Sequence, residues 1–222
     1  GRLRPPVELR PARPPKAFRD SLARSYDAAA RSRDEMGEAA WRWPIAEAFL
    51  ERLHQAGGTR LLEVGAGVGY TSVWFTERGI DVVATDLSPE QVALCRTKGI
   101  EAHVRDMYDL GFPSQSFDAL WAMNCIHHVP AEDIASVLDG FADVLRPGGL
   151  LYLGVWGGRD EEGIYDDDFY PPPRFFSLRS DASLRDVIER RFAILEFDTF
   201  VPDIDKHDVG LHMQSVVAER RI

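Results

Sequence analysis

The most constraining feature of the sequence is a glycine-rich stretch at residues 60–72, which reads RLLEVGAGVGYTS. A short apolar run with one acid leads into three glycines at alternate positions, Gly65, Gly67 and Gly69, and an amphipathic segment follows. This pattern is typical of a buried strand, a tight turn and a helix. The glycines let a ligand approach the backbone, and the helix N-terminus adds free N–H groups and the positive end of its dipole. The stretch therefore predicts a ligand-binding turn.

The composition is that of an ordinary globular protein with one main domain. The 222 residues are 45% hydrophobic and 28% charged, and no apolar run approaches the ~18 residues that span a bilayer. The basic N-terminus lacks the apolar core of a signal peptide. The two cysteines, Cys95 and Cys125, show no metal-like spacing. We therefore expect a cytoplasmic protein with no membrane association and no metal.

The charge argues against a nucleic acid partner. The net charge is −10, whereas proteins that bind phosphate backbones usually present a basic face. The charge is uneven, because residues 1–33 hold nine Arg or Lys and three acids. Five prolines exclude a regular helix from residues 1–15. We expect this segment to be a solvated, flexible basic arm, and contact with RNA is the alternative interpretation.

Two helices are predicted ahead of the glycine-rich stretch. The first runs from residue 16 to about 33, and the second covers 37–55, where apolar residues recur at every fourth position. Two glycines then end the second helix. Neither helix is needed for the pattern that follows, so we interpret residues 16–57 as a helical cap on a main domain at 58–222.

Strands and helices alternate in the main domain. After the strand of the glycine-rich stretch, further strands are predicted at 81–86, 101–105, 117–123 and 150–155. This succession predicts a doubly wound, mostly parallel sheet with helices on both faces and right-handed crossovers. Two more strands are predicted at 192–200 and 211–218, and residues 207–210 lie in the short loop between them. They suit an antiparallel hairpin at the sheet edge, which gives an α/β fold with seven strands.

A long insert without predicted regular structure follows the fifth strand at residues 157–179. It combines acids, aromatics and three prolines. Long irregular loops in compact domains are usually functional or disordered. Because the insert begins on the side of the sheet where ligands are expected, we interpret it as a lid. An acidic, aromatic lid suits a neutral or cationic small molecule better than a polyanion.

A carboxylate at the end of the second strand complements the glycine-rich turn. Asp86 lies 17 residues after Gly69, and the ends of parallel strands meet at the ligand-binding edge, where this side chain can accept from ribose hydroxyls. A dinucleotide-binding site also requires an acid at this place. In this sequence, however, Tyr70 occupies the position of the third glycine of the dinucleotide motif. The negative charge of Glu63, just before the turn, would repel a pyrophosphate and would attract a ligand that carries an ammonium or a sulfonium. An NAD(P)-dependent oxidoreductase is therefore the weaker alternative.

Five segments together resemble the motifs of class I S-adenosylmethionine-dependent methyltransferases, of the type 11/25-like kind. The segments are 63–69, similar to the E/D-x-G-x-G-x-G motif, 83–88 after the second strand, 105–107 after the third, 116–121 at the fourth, and 144–149 before the fifth. The resemblance covers about residues 58–156 in order and spacing. It implies a Rossmann-like methyltransferase fold, with S-adenosylmethionine as cofactor and S-adenosylhomocysteine as product.

The resemblance also implies roles at the methionine end of the cofactor. The backbone of Gly65, Ala66 and Gly67 would lie against the methionine part. Glu63 would support the turn and the amino group, directly or through water. Asn124, at the end of the fourth strand, would lie near the methionine or the transferred methyl group.

A second set of roles concerns the nucleoside end. The resemblance implies that Asp86 binds the ribose hydroxyls and that Leu87 lies on the adenine. Asp106 would accept a hydrogen bond from the adenine amino group, and the backbone of Met107 would contact the ring.

Three residues are candidates for contact with the acceptor or the methyl group. His127 and His128 follow the fourth strand, and one of them could deprotonate an acceptor hydroxyl or amine. The alternative is that they begin the next helix and bond to the backbone. They do not form a metal pair, since adjacent side chains point apart. In similar enzymes an N-terminal tyrosine folds over the cofactor, which predicts this role for Tyr26; a core position is the alternative.

The sequence thus predicts a methyltransferase that acts on a small-molecule O, N or C nucleophile. An RNA-directed methyltransferase that uses the basic arm, a cofactor-binding regulator without activity and, more weakly, an NAD(P)-dependent oxidoreductase are the alternatives. The acceptor, the methylated atom and the oligomeric state are left open.

Overall fold

A computed structural model describes residues 8–10, 18–202 and 211–222. Its helices are α1 (Phe18–Met36), α2 (Arg42–Gln55), α3 (Tyr70–Thr76), α4 (Pro89–Thr97), α5 (Ile134–Val144) and α6 (Asp181–Ile188), with a 3-10 turn at Ile126–His128. Its strands are β1 (Arg60–Val64), β2 (Asp81–Asp86), β3 (Glu101–Val104), β4 (Phe117–Met123), β5 (Leu145–Gly157), β6 (Glu161–Ile164), β7 (Phe175–Leu178), β8 (Phe192–Phe200) and β9 (His212–Arg220). The predicted loop at 207–210 and most of the predicted arm lie outside the described residues.

The main sheet has seven strands in the order β3-β2-β1-β4-β5-β9-β8. The first five strands pair in parallel, and β9 pairs antiparallel with both β5 and β8. The predicted fold class and its antiparallel edge hairpin are therefore confirmed. The central strands are nearly continuous apolar runs because helices cover both of their faces.

Successive residues of β4 show how the two faces are filled. Leu120 faces the helices α5 and α6, where Phe141 contributes to the same cluster. Trp121 points to the opposite face, where it stacks on Tyr152 at 3.8 Å between ring centres and packs edge-on against Phe49 of α2. Both faces are thus closed, and the carboxyl edge of the parallel strands is left to form a site.

The predicted start of the second helix was wrong by five residues. The prediction placed it at residue 37, but α1 continues to Met36 and α2 begins at Arg42. Gly37 has a φ of 70°, in the left-handed region, so the chain turns there between the two helices. The helix α2 covers a face of the sheet, whereas α1 crosses its carboxyl edge. The division between cap and main domain at residue 57 remains a prediction.

The insert is more regular than its sequence indicated. Instead of an irregular loop, β6 and β7 form a two-stranded antiparallel sheet. At its tip the carboxylate of Asp168 accepts from the backbone N–H of Arg174 at 3.0 Å and from its guanidinium at 2.7 and 2.8 Å. Strands of four residues carry too little alternation to be recognised from sequence alone.

Two residues of the predicted arm, Leu9 and Arg10, contact this insert. Arg10 and Ile164 exchange two backbone hydrogen bonds of 2.9 and 3.0 Å. Leu9 is buried against Leu178 and Leu211. A Cβ on Gly163 would lie 2.3 Å from the Arg10 carbonyl oxygen, so this approach requires glycine. Leu9 and Arg10 are therefore held on the insert, although the side chain of Arg10 stays exposed to solvent, and the extent of a flexible arm remains a prediction.

None of the helices within the described ranges combines the length and the apolar character that a membrane crossing requires.

Candidate active site

A cavity of about 420 Å³ lies at the carboxyl edge of the parallel strands, between that edge and α1. Its wall contains nearly all of the residues that the sequence singled out: Tyr26, Glu63, Gly65, Ala66, Gly67, Asp86, Leu87, Asp106, Met107, Asn124 and His128. His127 does not line it. Residues that are far apart in the sequence are thus brought together in one site.

The glycine-rich turn forms the floor of the cavity. The N–H groups of Gly65 and Ala66 both donate to the carbonyl oxygen of Thr85, at 2.8 and 3.0 Å, which fixes the turn to β2. Gly65 has a φ of 69°, and a Cβ there would lie 2.5 Å from the Cβ of Cys125. Only glycine fits this position, so the backbone itself faces the ligand space.

Asp86 joins the end of β2 to this turn. One carboxylate oxygen accepts from the N–H of Gly67 and the other from the N–H of Ser88, both at 2.9 Å. Burial raises the pKa of Asp86, and the two hydrogen bonds oppose that shift. Each oxygen retains a further acceptor site towards the cavity.

Glu63 is the buried acid of the site. Its side chain is 4% exposed and accepts a hydrogen bond from the hydroxyl of Ser72 on α3. Burial raises its pKa to about 8, and the hydrogen bond from Ser72 opposes the shift only in part. Near neutral pH this carboxyl therefore holds a proton in the free protein, and a cation beside it would favour the ionised form.

Asp106 connects the third strand to α1. One oxygen pairs with the Arg19 guanidinium at 2.8 Å, and the other accepts from the N–H of Tyr108 at 3.1 Å. The guanidinium also lies over the Tyr108 ring, 4.9 Å from its centre. Sequence reasoning missed Arg19, because no motif extends into the N-terminal helix.

Asn124 presents an amide at the end of β4. Its φ of 56° lies in the left-handed region, which asparagine tolerates better than most residues. Its N–H donates to the carbonyl oxygen of Gly154 at 2.7 Å, and its buried Oδ1 has no hydrogen-bond partner among the described residues. Asn124 thus lines the cavity with one amide oxygen that the described residues leave unpaired.

Tyr26 and His128 form a hydrogen-bonded pair in the cavity wall. His128 Nδ1 lies 2.7 Å from the Phe175 carbonyl oxygen, which can only accept, so Nδ1 carries the proton. The neutral Nε2 then accepts from the Tyr26 hydroxyl at 2.8 Å. Burial and the charge of Arg174 lower the pKa of His128 to about 3. Both ring nitrogens are thus engaged, and the imidazole is neutral at physiological pH.

Arg174 supports this pair from the insert. It donates to the Tyr26 hydroxyl at 2.9 Å and makes a two-pronged ion pair with Asp168. Its guanidinium lies 4.1 Å from the centre of the Tyr170 ring and 5.1 Å from that of Phe176. The sequence analysis recognised the acids and aromatics of the insert but overlooked this arginine.

His127 points away from the cavity. Its ring is buried and stacks on Phe176 at 5.3 Å between centres. Burial lowers its pKa well below the usual range, and its Nδ1 has no hydrogen-bond partner within the described residues. The geometry gives no support for a catalytic role of His127. Over the ranges that the structure describes, no three His, Cys, Asp or Glu side chains are grouped so as to hold a metal ion.

The structure has a doubly wound sheet with an acid–glycine turn after its first strand and with acids after the next two strands, and in such sheets the ligand binds at the carboxyl ends of the strands. Residues 62–153 match a family model described as a methyltransferase domain. Residues 62–153 of the chain are thus similar to this family, in agreement with the resemblance seen in its sequence motifs.

Two curated proteins illustrate the relationship. Methyltransferase GfsG of Streptomyces halstedii is 33% identical over 145 residues, which cover 61% of this chain and 51% of that protein. A ubiquinone biosynthesis O-methyltransferase of Xylella fastidiosa is 32% identical over 119 residues, or 50% of this chain and 48% of that protein. The chain thus spans about half the length of the curated relatives it matches.

A solved structure matches nearly the whole chain. It is the 1,6-didemethyltoxoflavin-N1-methyltransferase of Burkholderia thailandensis, with bound 1,6-didemethyltoxoflavin and S-adenosylhomocysteine. The TM-score is 0.75 at 23% identity, and the match covers 98% of this chain and 94% of that one. This likeness supports the fold, including α1 and the insert.

Proposed function

We propose that this protein transfers the methyl group of S-adenosylmethionine to an O, N or C nucleophile of a small molecule. The observation that carries the proposal is the convergence of three strand-end acids, Glu63, Asp86 and Asp106, on the cavity lined by the glycine-rich turn. Each acid matches a donor or cation of this cofactor, and none suits a pyrophosphate.

The fit at the methionine end rests on Glu63 and the turn. The backbone at residues 65–67 is open to the cavity because Gly65 and Gly67 carry no side chain. Glu63 would take the amino group of the cofactor, which supplies the cation that its buried carboxyl lacks in the free protein. Asn124 would lie beside the methyl group with its unpartnered Oδ1.

The fit at the nucleoside end rests on Asp86 and Asp106. The remaining acceptor sites of Asp86 would take the ribose hydroxyls, and Leu87 would lie on the adenine. Asp106 would accept from the adenine amino group next to the backbone of Met107. Its present contact with Arg19 leaves acceptor capacity on both oxygens.

The protein's contribution to the reaction is mainly positioning. The cofactor supplies a methyl group already activated by a sulfonium, so alignment with the acceptor and exclusion of water account for most of the acceleration. Tyr26 and His128 would form one wall of the acceptor space. Because both nitrogens of His128 are engaged, we propose that it holds Tyr26 in place rather than removing a proton.

The cavity wall also bears on the acceptor. Phe18, Tyr26 and Tyr108 line it with aromatic rings. Such rings favour a flat, partly apolar molecule. A small-molecule acceptor therefore fits this space better than a polynucleotide.

Calorimetric titration tests the proposal. We expect the protein to bind S-adenosylhomocysteine and not NADH, and Asp86→Ala to weaken S-adenosylhomocysteine binding strongly. Binding of NADH alone, or unchanged affinity in the Asp86 variant, would refute the assignment. A homocysteine-release assay across a panel of metabolites would then identify the acceptor.

A further inference from the structure

The ion pair of Arg174 and Asp168 is buried at the tip of the insert. The side chain of Arg174 is 12% exposed and that of Asp168 only 1%. The carboxylate of Asp168 also accepts from the backbone N–H groups of Tyr170 and Arg174, at 3.4 and 3.0 Å, so backbone donors already close the tip. A buried guanidinium is costly unless its hydrogen bonds are made, and this one has a further partner outside the insert.

The ion pair leaves one nitrogen of the guanidinium for α1. Nε and Nη2 donate to the two oxygens of Asp168, at 2.7 and 2.8 Å, in the planar arrangement that a guanidinium forms with a carboxylate. Because the guanidinium is rigid, this arrangement also fixes the direction of Nη1. Nη1 donates to the hydroxyl oxygen of Tyr26 at 2.9 Å. The insert thus directs a charged donor at a residue that lines the cavity.

The hydrogen bonds that continue from Arg174 all run in one direction. A guanidinium can only donate, so the oxygen of Tyr26 accepts from Arg174 and its proton is directed at His128 Nε2, 2.8 Å away. The proton on Nδ1 of His128 is directed at the carbonyl oxygen of Phe175, at 2.7 Å. Phe175 is the residue after Arg174. Two consecutive residues of the insert therefore hold the Tyr26–His128 pair from its two ends.

The charges around the pair favour the same direction. In the part of the chain that the structure describes, the His128 imidazole faces Tyr26 from α1, Arg174 and Asp168 from the insert, and His127 from its own turn. Burial and the charge of Arg174 lower the pKa of His128 to about 3, although Asp168 opposes the shift. Burial raises the pKa of Tyr26. Both members of the pair are therefore neutral near pH 7.

We propose that Arg174 is a positioning residue for the methyl transfer, which holds Tyr26 in the wall of the acceptor space with its proton directed at His128. The proposal rests on the proposed function, which makes this wall part of the acceptor space. Tyr26 and His128 line the cavity whereas Arg174 does not, so Arg174 acts through Tyr26 rather than on the cofactor or the acceptor.

Two substitutions separate this role from general support of the insert. Arg174→Lys keeps a charged donor, whereas Arg174→Gln keeps a donor without the charge. NMR of the nitrogen-labelled protein follows the His128 imidazole on acidification, and its signals are assigned by their loss in His128→Ala. We expect Arg174→Gln to raise the pKa of His128 by about one to two units. In Arg174→Lys the imidazole should stay neutral, as in the unsubstituted protein.

Turnover and cofactor affinity are the second readout. With the acceptor found in the metabolite panel, Arg174→Gln should lower kcat about tenfold, and Arg174→Lys should recover part of that loss. The affinity for S-adenosylhomocysteine in calorimetric titration should change less than about twofold in both variants. A general loosening of the site would lower kcat and this affinity together.

Asp166→Asn is the matched control within the insert. Asp166 pairs with Arg10 at 2.6 Å, and both side chains are more than half exposed, so this substitution should change neither the pKa of His128 nor kcat. Removing Arg174 alone leaves the carboxylate of Asp168 buried and unpaired, so thermal melting must show that the variant is folded. If it is not, the double variant Asp168→Asn with Arg174→Gln leaves no buried charge and should raise the pKa in the same direction.

Three results would overturn the role of Arg174 while leaving the proposed function standing. They are an unchanged pKa of His128 in Arg174→Gln, equal effects of lysine and glutamine on that pKa, and an equal loss of kcat and of affinity for S-adenosylhomocysteine. Failure of the unsubstituted protein to bind S-adenosylhomocysteine would instead remove the proposed function. A raised pKa and a lower kcat in Arg174→Gln, both reversed by lysine, would support the assignment.

Discussion

At the scale of single residues, Glu63 couples ligand binding to pH. Burial raises its pKa to about 8, so the free protein holds a proton there at pH 7 that must leave before the carboxylate can pair with an amino group. We expect the affinity for S-adenosylhomocysteine to rise between pH 6 and 8, by at most about tenfold per unit, and to level off above pH 8. Calorimetry across this range checks the prediction.

The matching variant is Glu63→Gln, which cannot ionise. It should bind S-adenosylhomocysteine more weakly at pH 8, and its affinity should depend little on pH between 6 and 8.

The same pKa shift also affects the stability of the ligand-free protein, in the opposite direction. An unfolded glutamate ionises near pH 4.3 whereas folded Glu63 does so near 8, so this group lowers the free energy of unfolding as pH rises through that interval. If the free energy of unfolding depended on pH in Glu63→Gln as it does in the unsubstituted protein, the raised pKa could not be assigned to Glu63.

The role of His128 can be separated from that of a general base. We expect His128→Ala to lower kcat while leaving the affinity for S-adenosylhomocysteine unchanged. If the imidazole acts by holding Tyr26, then Tyr26→Phe should lower kcat as well, and the double variant should be no worse than the poorer single one. Steady-state kinetics with the acceptor found in the metabolite panel measures this coupling.

The pH–rate profile supplies the contrasting outcome. With a positioning role, His128→Ala lowers the rate by a similar factor at each pH. If the rate of the unsubstituted protein fell at low pH and that fall were absent in His128→Ala, the imidazole would instead be shown to accept a proton during turnover.

The sequence predicted some residues of the site and missed others for a physical reason. Glu63 and Asp86 were found because they stand at strand ends beside a turn whose spacing is set by one local structure. Arg19 and Arg174 were missed because α1 and the insert reach the cavity only through tertiary packing. Nothing in the local pattern around these arginines differs from that of a solvated surface.

At the scale of secondary structure elements, the insert depends on a glycine. A Cβ on Gly163 would lie 2.3 Å from the Arg10 carbonyl oxygen and 3.1 Å from the Cβ of Leu9. We expect Gly163→Ala to displace residues 8–10 from β6 and to lower the free energy of unfolding by about 1–3 kcal/mol through overpacking. Chemical denaturation measures this loss.

Gly140→Ala is the matched control. Gly140 lies in α5, and a Cβ there meets nothing within 4 Å, so the helix propensity of alanine should leave the stability unchanged or raise it by up to about 1 kcal/mol. Equal effects of the two substitutions would show that residues 8–10 do not pack on β6 in solution.

The strands that are buried on both faces could be predicted from the sequence better than the short strands of the insert. The parallel strands were located within a few residues because helices cover both faces and force apolar runs on them. The strands β6 and β7 were missed, since each has four residues and is stabilised by pairing with the other and with residues at the N-terminus. Their pairing is a property of the folded chain rather than of either segment.

At the scale of the whole molecule, α1 ties the sheet edge to the insert above the cavity. It pairs with the end of β3 through Arg19 and with the 3-10 turn through Tyr26, and the Ser25 hydroxyl donates to the Pro172 carbonyl oxygen at 2.6 Å. A ligand on the glycine-rich turn therefore lies beneath a layer drawn from two distant parts of the chain.

Hydrogen exchange should report this enclosure. Because the bound ligand would contact both the sheet edge and α1, we expect S-adenosylhomocysteine to slow amide exchange in α1 and in residues 165–174, besides the turn at 63–69. Amide exchange in β8 and β9, on the far side of the sheet, should not change when the ligand binds, so these strands provide the internal reference. Asp86→Ala, tested at the same ligand concentration, should lose most of the protection in all three segments together. Protection confined to the turn, with α1 exchanging as in the free protein, would show that the helix does not close over the bound ligand.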